Sequence, residues 1–218
     1  MTANDNNIEF GAIREEVQPF SRQELRGMLR APLRMVDLVL GERRRLAANV
    51  AQEHRLPSLL LALTVATAVF ALPFGAVLGA GGVWRVAALL LGGLAICVPS
   101  LHVFGRYLGA GLSGAQTLAL ALAATAVTSL FTLAFAPILG FLRATMRSYP
   151  SAEHISWGEM ASVLLAVAFV AGIGQLFRLL RREHLLRGLA PSVGLVLIPW
   201  LALYVFITVR LACVLGLV

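Results

Sequence analysis

Hydrophobic positions in this chain are grouped in two ways, and the change falls near residue 57. Before it they recur at helical spacing among arginines, and after it they run almost unbroken. Five apolar stretches fill the later part, roughly Ser58–Ala80, Val83–Leu108, Ala115–Leu142, Trp157–Leu179 and Pro191–Val218. A bilayer core of about 30 Å needs about 20 apolar residues in a helix, and each stretch is long enough. The pattern predicts an all-α fold, a polytopic membrane helical bundle with about five transmembrane helices over residues 58–218.

The first 57 residues read differently. Met1–Phe20 has little periodicity and predicts a mobile polar tail over residues 1–20. Ser21-Arg-Gln-Glu24 has the form of a capping box, in which the Ser hydroxyl and the Glu carboxylate each satisfy an orphan backbone N–H. Leu25, Met28, Leu29, Leu33, Val36, Val39 and Leu40 follow at helical spacing, and Arg22, Arg26, Arg30 and Arg34 form an i, i+4 ladder along one edge. Pro32 fits a kink or the first turn of a second helix. Gly41-Glu-Arg-Arg-Arg45 through Arg55 predicts a further helix closed by Pro57. Residues 21–57 are thus a basic amphipathic helical arm ahead of the first span. Such an arm lies on the cytoplasmic leaflet and binds anionic lipid headgroups, and docking onto a partner protein is the sharper alternative. In either case Arg22, Arg26, Arg30, Arg34, Arg43, Arg44 and Arg45 are the expected binding residues.

Within the apolar stretches, Pro73, Pro99, Pro137 and Pro199 interrupt four of the five, and Gly172 and Gly174 loosen the other. A transmembrane Pro frees a carbonyl that a Ser or Thr hydroxyl can re-satisfy, a role open to Ser100 beside Pro99. Scattered kinks are ordinary in membrane bundles, whereas broken helices can line transport sites. The third stretch carries the clearest face, with Ala121, Thr125, Thr128, Ser129, Thr132 and Ala136 spaced by three or four. Small and hydroxylated side chains allow close backbone approach, so Thr125, Thr128, Ser129 and Thr132 are expected to pack a central helix. A hydrophilic pathway along that stripe is the alternative, but the stripe carries no charge. Arg210 stands inside the last apolar run, eight residues from the end. It either snorkels to the interface or pairs with a partner helix or headgroup.

Composition changes the picture mainly through charge. All 18 basic side chains are Arg, which reads as a coding bias of a GC-rich bacterial genome. The formal net charge of +7 is a topology signal and not a nucleic-acid one, because the arginines gather at segment ends. Arg43, Arg44, Arg45 and Arg55 precede the first stretch, Arg106 follows the second, and Arg178, Arg181, Arg182 and Arg187 lie between the fourth and fifth. The opposite side carries Arg85, Arg143 and Arg147. The bias predicts a multi-pass protein of the inner (cytoplasmic) membrane with its N-terminus in the cytoplasm. The tail lacks the apolar core of a signal peptide, so the first stretch is the expected insertion signal and is retained.

Candidate chemistry is thin. Cys97 and Cys213 fall inside apolar segments without metal or redox spacing. Gly111-Leu-Ser113-Gly114 matches the Gly-x-Ser-Gly of rhomboid-type intramembrane proteases, which need a buried Ser activated by a His from another helix. Of His54, His102, His154 and His184, His102 alone lies near membrane depth, and Ser113 is better placed to begin the third helix. Ser156-Trp-Gly-Glu159 is again a capping box, which explains the acid at Glu159 as a helix start. P-loop, dinucleotide-binding, HExxH and haem-attachment motifs are absent from the sequence. No enzyme activity, cofactor or metal is expected.

Gly109-Ala-Gly-Leu-Ser-Gly-Ala-Gln-Thr-Leu118, a Gly-rich turn leading into the small-residue third helix, resembles the corresponding turn of the Yip family. A polar cytoplasmic arm followed by five closely spaced spans is a second point of similarity. Yip proteins are small membrane proteins first known as binders of Rab-type GTPases, with bacterial relatives. The resemblance implies a non-enzymatic role in membrane organisation or partner binding and brings no catalytic residues. The expected function is an integral membrane scaffold or accessory subunit that docks other membrane or cytoplasmic subunits. The competing expectation is a small permease, or a permease subunit working with a separate ATPase.

Overall fold

A computed structural model of the chain describes residues 20–30, 32–41, 43–51, 56–107, 113–146, 157–182 and 192–217. Among these residues the fold is all-helical: α1 (Arg22–Arg30), α2 (Pro32–Val36), a π-helical turn (Asp37–Gly41), α3 (Arg43–Ala51), α4 (Leu56–Leu78), α5 (Gly82–Tyr107), α6 (Gly114–Met146), α7 (Trp157–Arg182) and α8 (Ser192–Val214). Residues 1–19 of the expected mobile tail, Arg55, Arg147, Arg187, Ser156, most of the Gly-rich turn, and the histidines at 54, 154 and 184 lie outside the described residues, whereas Phe20, expected to end that tail, is fully buried.

Local chemistry explains the boundaries. Ser21 Oγ accepts the Glu24 N–H at 3.1 Å while Glu24 Oε2 accepts the Ser21 N–H at 2.6 Å, the reciprocal box that starts α1. Pro32 opens α2 instead of kinking α1. Pro57 does not close a helix as the sequence predicts. It is the second residue of α4, where a missing N–H removes one of the donors that a helix start leaves unpaired anyway. The same pattern that marks a stop also fits a start, and only the position of the next helix separates them. Pro73, Pro99 and Pro137 lie inside continuous helices, so the apolar stretches are not broken at these positions.

Among the described residues, four helices are long and apolar enough to cross a membrane: Leu56–Leu78, Gly82–Tyr107, Gly114–Thr145 and Gly158–Gln175. In the last helix the apolar span with described side chains is the shorter Ala202–Val214. The chain has the build of a multi-pass membrane protein. In α6, 67% of the most apolar window is buried, against 44% in α4 and 33% in each of α5 and α7. That makes α6 the centre of the bundle, packed mainly on α4 and then on α7 and α5, with α8 lying on α5.

The α4–α5 hairpin turns on glycine. Gly79 and Gly81 hold φ of 103° and 80°, a left-handed backbone that side chains other than Gly rarely adopt. Gly75 lets the α4 backbone touch the start of α5, because a Cβ there would sit 2.5 Å from Val83 Cα.

Candidate functional site

The arm is folded back on the bundle. Phe20, Leu25, Met28, Leu38, Val39, Leu46 and Val50 are buried in the main core together with residues of α4, α5 and α6. Met35 joins Ala66 and Phe70 in a second buried cluster, with Val36, Val65, Val69, Leu130 and Leu133 packed against it. Of the apolar face read from periodicity, Leu25, Met28 and Val39 are therefore covered and Val36 partly so by the chain's own bundle, whereas Leu40 is exposed.

The arm closes on itself through Arg45. Its guanidinium lies 3.3 Å from each carboxylate oxygen of Glu24 and 4.3 Å from the centroid of the Phe20 ring. Asn49, fully buried, donates Nδ2 to the Arg45 carbonyl at 2.9 Å. Glu24 is held below the usual carboxylate range, first by the Ser21 backbone N–H, which outweighs the opposing effect of burial, and further by the Ser21 hydroxyl and Arg45.

Apart from Leu40, the side chains that the arm leaves outward are polar among the described residues. Gln23, Arg26, Arg34 and Asp37 are exposed. Arg26 and Arg34, two of the expected binding residues, thus stand on the free edge, while Arg45 is engaged within the arm. Arg22 and Arg30 lie in α1 and Arg43 and Arg44 in α3, with side chains outside the described residues. Arg210 is apart from this group, exposed on α8 four residues before Val214.

The hydroxyl stripe of α6 faces inward. Thr125, Thr128, Ser129 and Thr132 are all buried, and each hydroxyl donates to a carbonyl of its own helix: Ala121, Ala124, Ala126 and Ser129 respectively. These bonds turn the polar atoms toward the backbone and leave the methyl and Cβ surfaces for packing. Gly172 of α7 packs directly on Thr128, and a Cβ there would also meet the Ala124 carbonyl oxygen at 2.7 Å.

Beside the stripe is a junction of four helices that sequence reasoning missed. Trp200 of α8 stacks on Tyr204 at 5.4 Å and 5°, and Phe169 of α7 meets Tyr204 edge-on at 5.8 Å. Trp200 Nε1 donates toward the Cys97 carbonyl at 3.3 Å and Ser100 Oγ at 3.2 Å, and Ser100 Oγ donates to the same carbonyl at 2.7 Å. The cavity enclosed there is about 20 Å³, room for about one water. The available signal was the i, i+4 aromatic pair Trp200/Tyr204, which places two large rings on one helix face. A larger groove of about 190 Å³ opens between α7 and α8, lined by aliphatic residues with Phe169, Ser162 and Thr208. Both hydroxyls in it are closed on their own helices.

Two further arginines seal helix ends. Arg143 of α6 donates to the Val77 carbonyl at the end of α4, and Arg85 of α5 reaches the Gly216 carbonyl beyond α8 at 3.5 Å. Both stand at one end of the bundle, together as their sequence positions predict, and satisfy carbonyls that a helix end leaves free.

Ser113 is an N-cap. Its Oγ accepts the Gln116 N–H at 3.3 Å and its N–H donates to Gln116 Oε1 at 2.9 Å. His102 packs near Gly114 and meets Thr117 Oγ1 at 3.5 Å, so helix packing accounts for the Gly-x-Ser-Gly pattern. Groups of three or more His, Cys, Asp or Glu suited to a metal do not occur among the described residues. Comparison of the chain with protein-family models, with curated proteins and with solved structures gives no match.

Proposed function

We propose that this chain is an integral membrane scaffold or accessory subunit whose N-terminal arm docks a partner and organises a membrane complex. The observation that carries this reading is the two-sided arm. Its buried apolar residues pack on the bundle, mainly on α4 and α6, while Arg26, Arg34 and Asp37 stand outward on a preformed helical edge. A rigid charged edge is suited to protein or headgroup recognition, because little ordering entropy is lost on binding. In this reading α8 is the fifth span, and the arginine bias supports an arm that enters from the cytoplasmic side of a bacterial inner membrane. The similarity of the Gly109–Leu118 turn to the Yip family supports the same non-enzymatic role.

The permease reading is weaker. The α6 hydroxyls are closed on their own backbone, and the interior cavity holds about one water. Tagged protein purified from its native membrane in mild detergent tests the proposal. A stoichiometric companion that is lost on Arg26→Glu plus Arg34→Glu is the expected result. Retention of every companion and of anionic-liposome binding in that variant would remove the arm from the account. A substrate flux into proteoliposomes that is abolished by Thr128→Leu plus Thr132→Leu would favour the permease.

A further inference from the structure

The contact between arm and bundle fixes how deep the arm reaches. Met35 shares its buried cluster with Ala66 and Phe70, which lie ten and fourteen residues beyond Leu56 in the 23-residue α4. At a rise of about 1.5 Å per residue, these positions are about 15 and 21 Å into a helix about 35 Å long. Leu130 and Leu133, packed on the same cluster, fall near the middle of α6. Both α4 and α6 are long and apolar enough to span a membrane. With α4 and α6 read as spans, the tip of the arm lies inside the hydrocarbon core and not at the headgroup level.

Two charges flank that tip. Arg34 precedes Met35 and Asp37 follows it by two, and both are exposed. Among the described residues neither makes a hydrogen bond or an ion pair. Ionised groups at this depth are strongly disfavoured unless paired. Acyl chains offer no charge, headgroup phosphates lie at the edge of the core, and a soluble protein cannot enter it. The partner must itself be a membrane protein. Arg34 and Asp37 are opposite in sign and three residues apart, within one side chain's reach of a common depth, so a copy related by a two-fold axis along the membrane normal can present Asp37 to Arg34 and Arg34 to Asp37.

We propose that two copies of this chain pair within the membrane through the outer faces of their arms, Arg34 of each copy bonded to Asp37 of the other. This rests on reading the arm as a docking element and names a second copy as what it docks.

The test co-expresses two differently tagged copies, extracts them with their surrounding lipid in polymer nanodiscs, and measures how much of one tag follows the other. The wild-type pair is expected to co-purify. Arg34→Asp in both copies, or Asp37→Arg in both, sets like charges opposite each other and is expected to lower recovery about tenfold or more. Arg34→Asp in one copy with Asp37→Arg in the other restores both pairs across the interface, and recovery should return. An ion pair within one chain cannot give that rescue. Arg34→Gln with Asp37→Asn, which removes both charges without a clash, should also lower recovery. The proposal is overturned if the wild type does not self-associate, if the neutral double variant pairs as well as wild type, or if the mixed pair stays apart. Should self-association fail while a different companion still follows wild-type bait, the docking role stands and the second copy does not.

Discussion

Arg45 and Glu24, twenty-one positions apart, meet at 3.3 Å and join α3 to α1. The pair is half-exposed, so its own attraction is small. Its importance lies in where it sits, beside Phe20 and the cap of α1, at the point where the two limbs of the arm are held together.

That junction is acid-sensitive. Glu24 has a folded pKa below its ordinary 4.5, so ionised Glu24 contributes stability that is fully present above that value. It is lost as pH falls through the lower folded value. Hydrogen exchange of α1 amides, corrected for intrinsic chemistry, should quicken as pH is brought below the ordinary carboxylate range. Glu24→Gln should abolish this pH dependence and leave exchange fast throughout. An unchanged acid response in Glu24→Gln would assign the effect elsewhere.

Gly172 and Gly174 should respond oppositely to alanine. A Cβ at Gly172 collides with Thr128 and the Ala124 carbonyl, whereas none of the described atoms lies within 4 Å of one at Gly174. Gly172→Ala is expected to cost about 1–3 kcal/mol, read as a lower melting temperature in detergent. Gly174→Ala should be neutral or stabilising, since alanine is the better helix former.

A second glycine contrast separates the hairpin from the arm. Gly75→Ala would press on the backbone of Val83, which cannot move as a side chain can, and should destabilise the α4–α5 packing. Gly27→Ala in α1 meets open space and should stabilise the arm by up to about 1 kcal/mol. Equal melting temperatures for the two variants would contradict the packing described.

Trp200→Phe removes the indole donor shared by Cys97 and Ser100 while keeping a ring against Tyr204. A loss of about 1 kcal/mol is expected. Trp200→Leu also removes the stacking and should cost more, by about another 1 kcal/mol. Thermal unfolding of the two variants side by side separates the contributions.

What was legible in the chain follows from range. The boxes at Ser21–Glu24 and Ser113–Gln116 were readable because a cap is made within four residues. The inward face of α6 was readable because small and hydroxylated residues at helical spacing mark close packing whatever the neighbour. The burial of Leu25, Met28 and Val39 was readable too, but not what buries them. Periodicity reports that a face is covered, and a lipid surface and the chain's own α4 and α6 leave the same pattern. The partner of Gly172 was hidden for the same reason, since a glycine does not name the helix it admits. Pro57 misled because proline fits equally after a helix and in its first turn.

The position of the arm decides what it can dock, and crosslinking measures that position directly. With Cys97 and Cys213 replaced by Ala, Met35→Cys and Phe70→Cys should be joined within one chain by a short thiol crosslinker in native membranes. Cys introduced at Met35 should resist a membrane-impermeant maleimide that labels one introduced at Arg26. No crosslink, with both arm positions labelled equally fast, would contradict the docked arm and the function built on it.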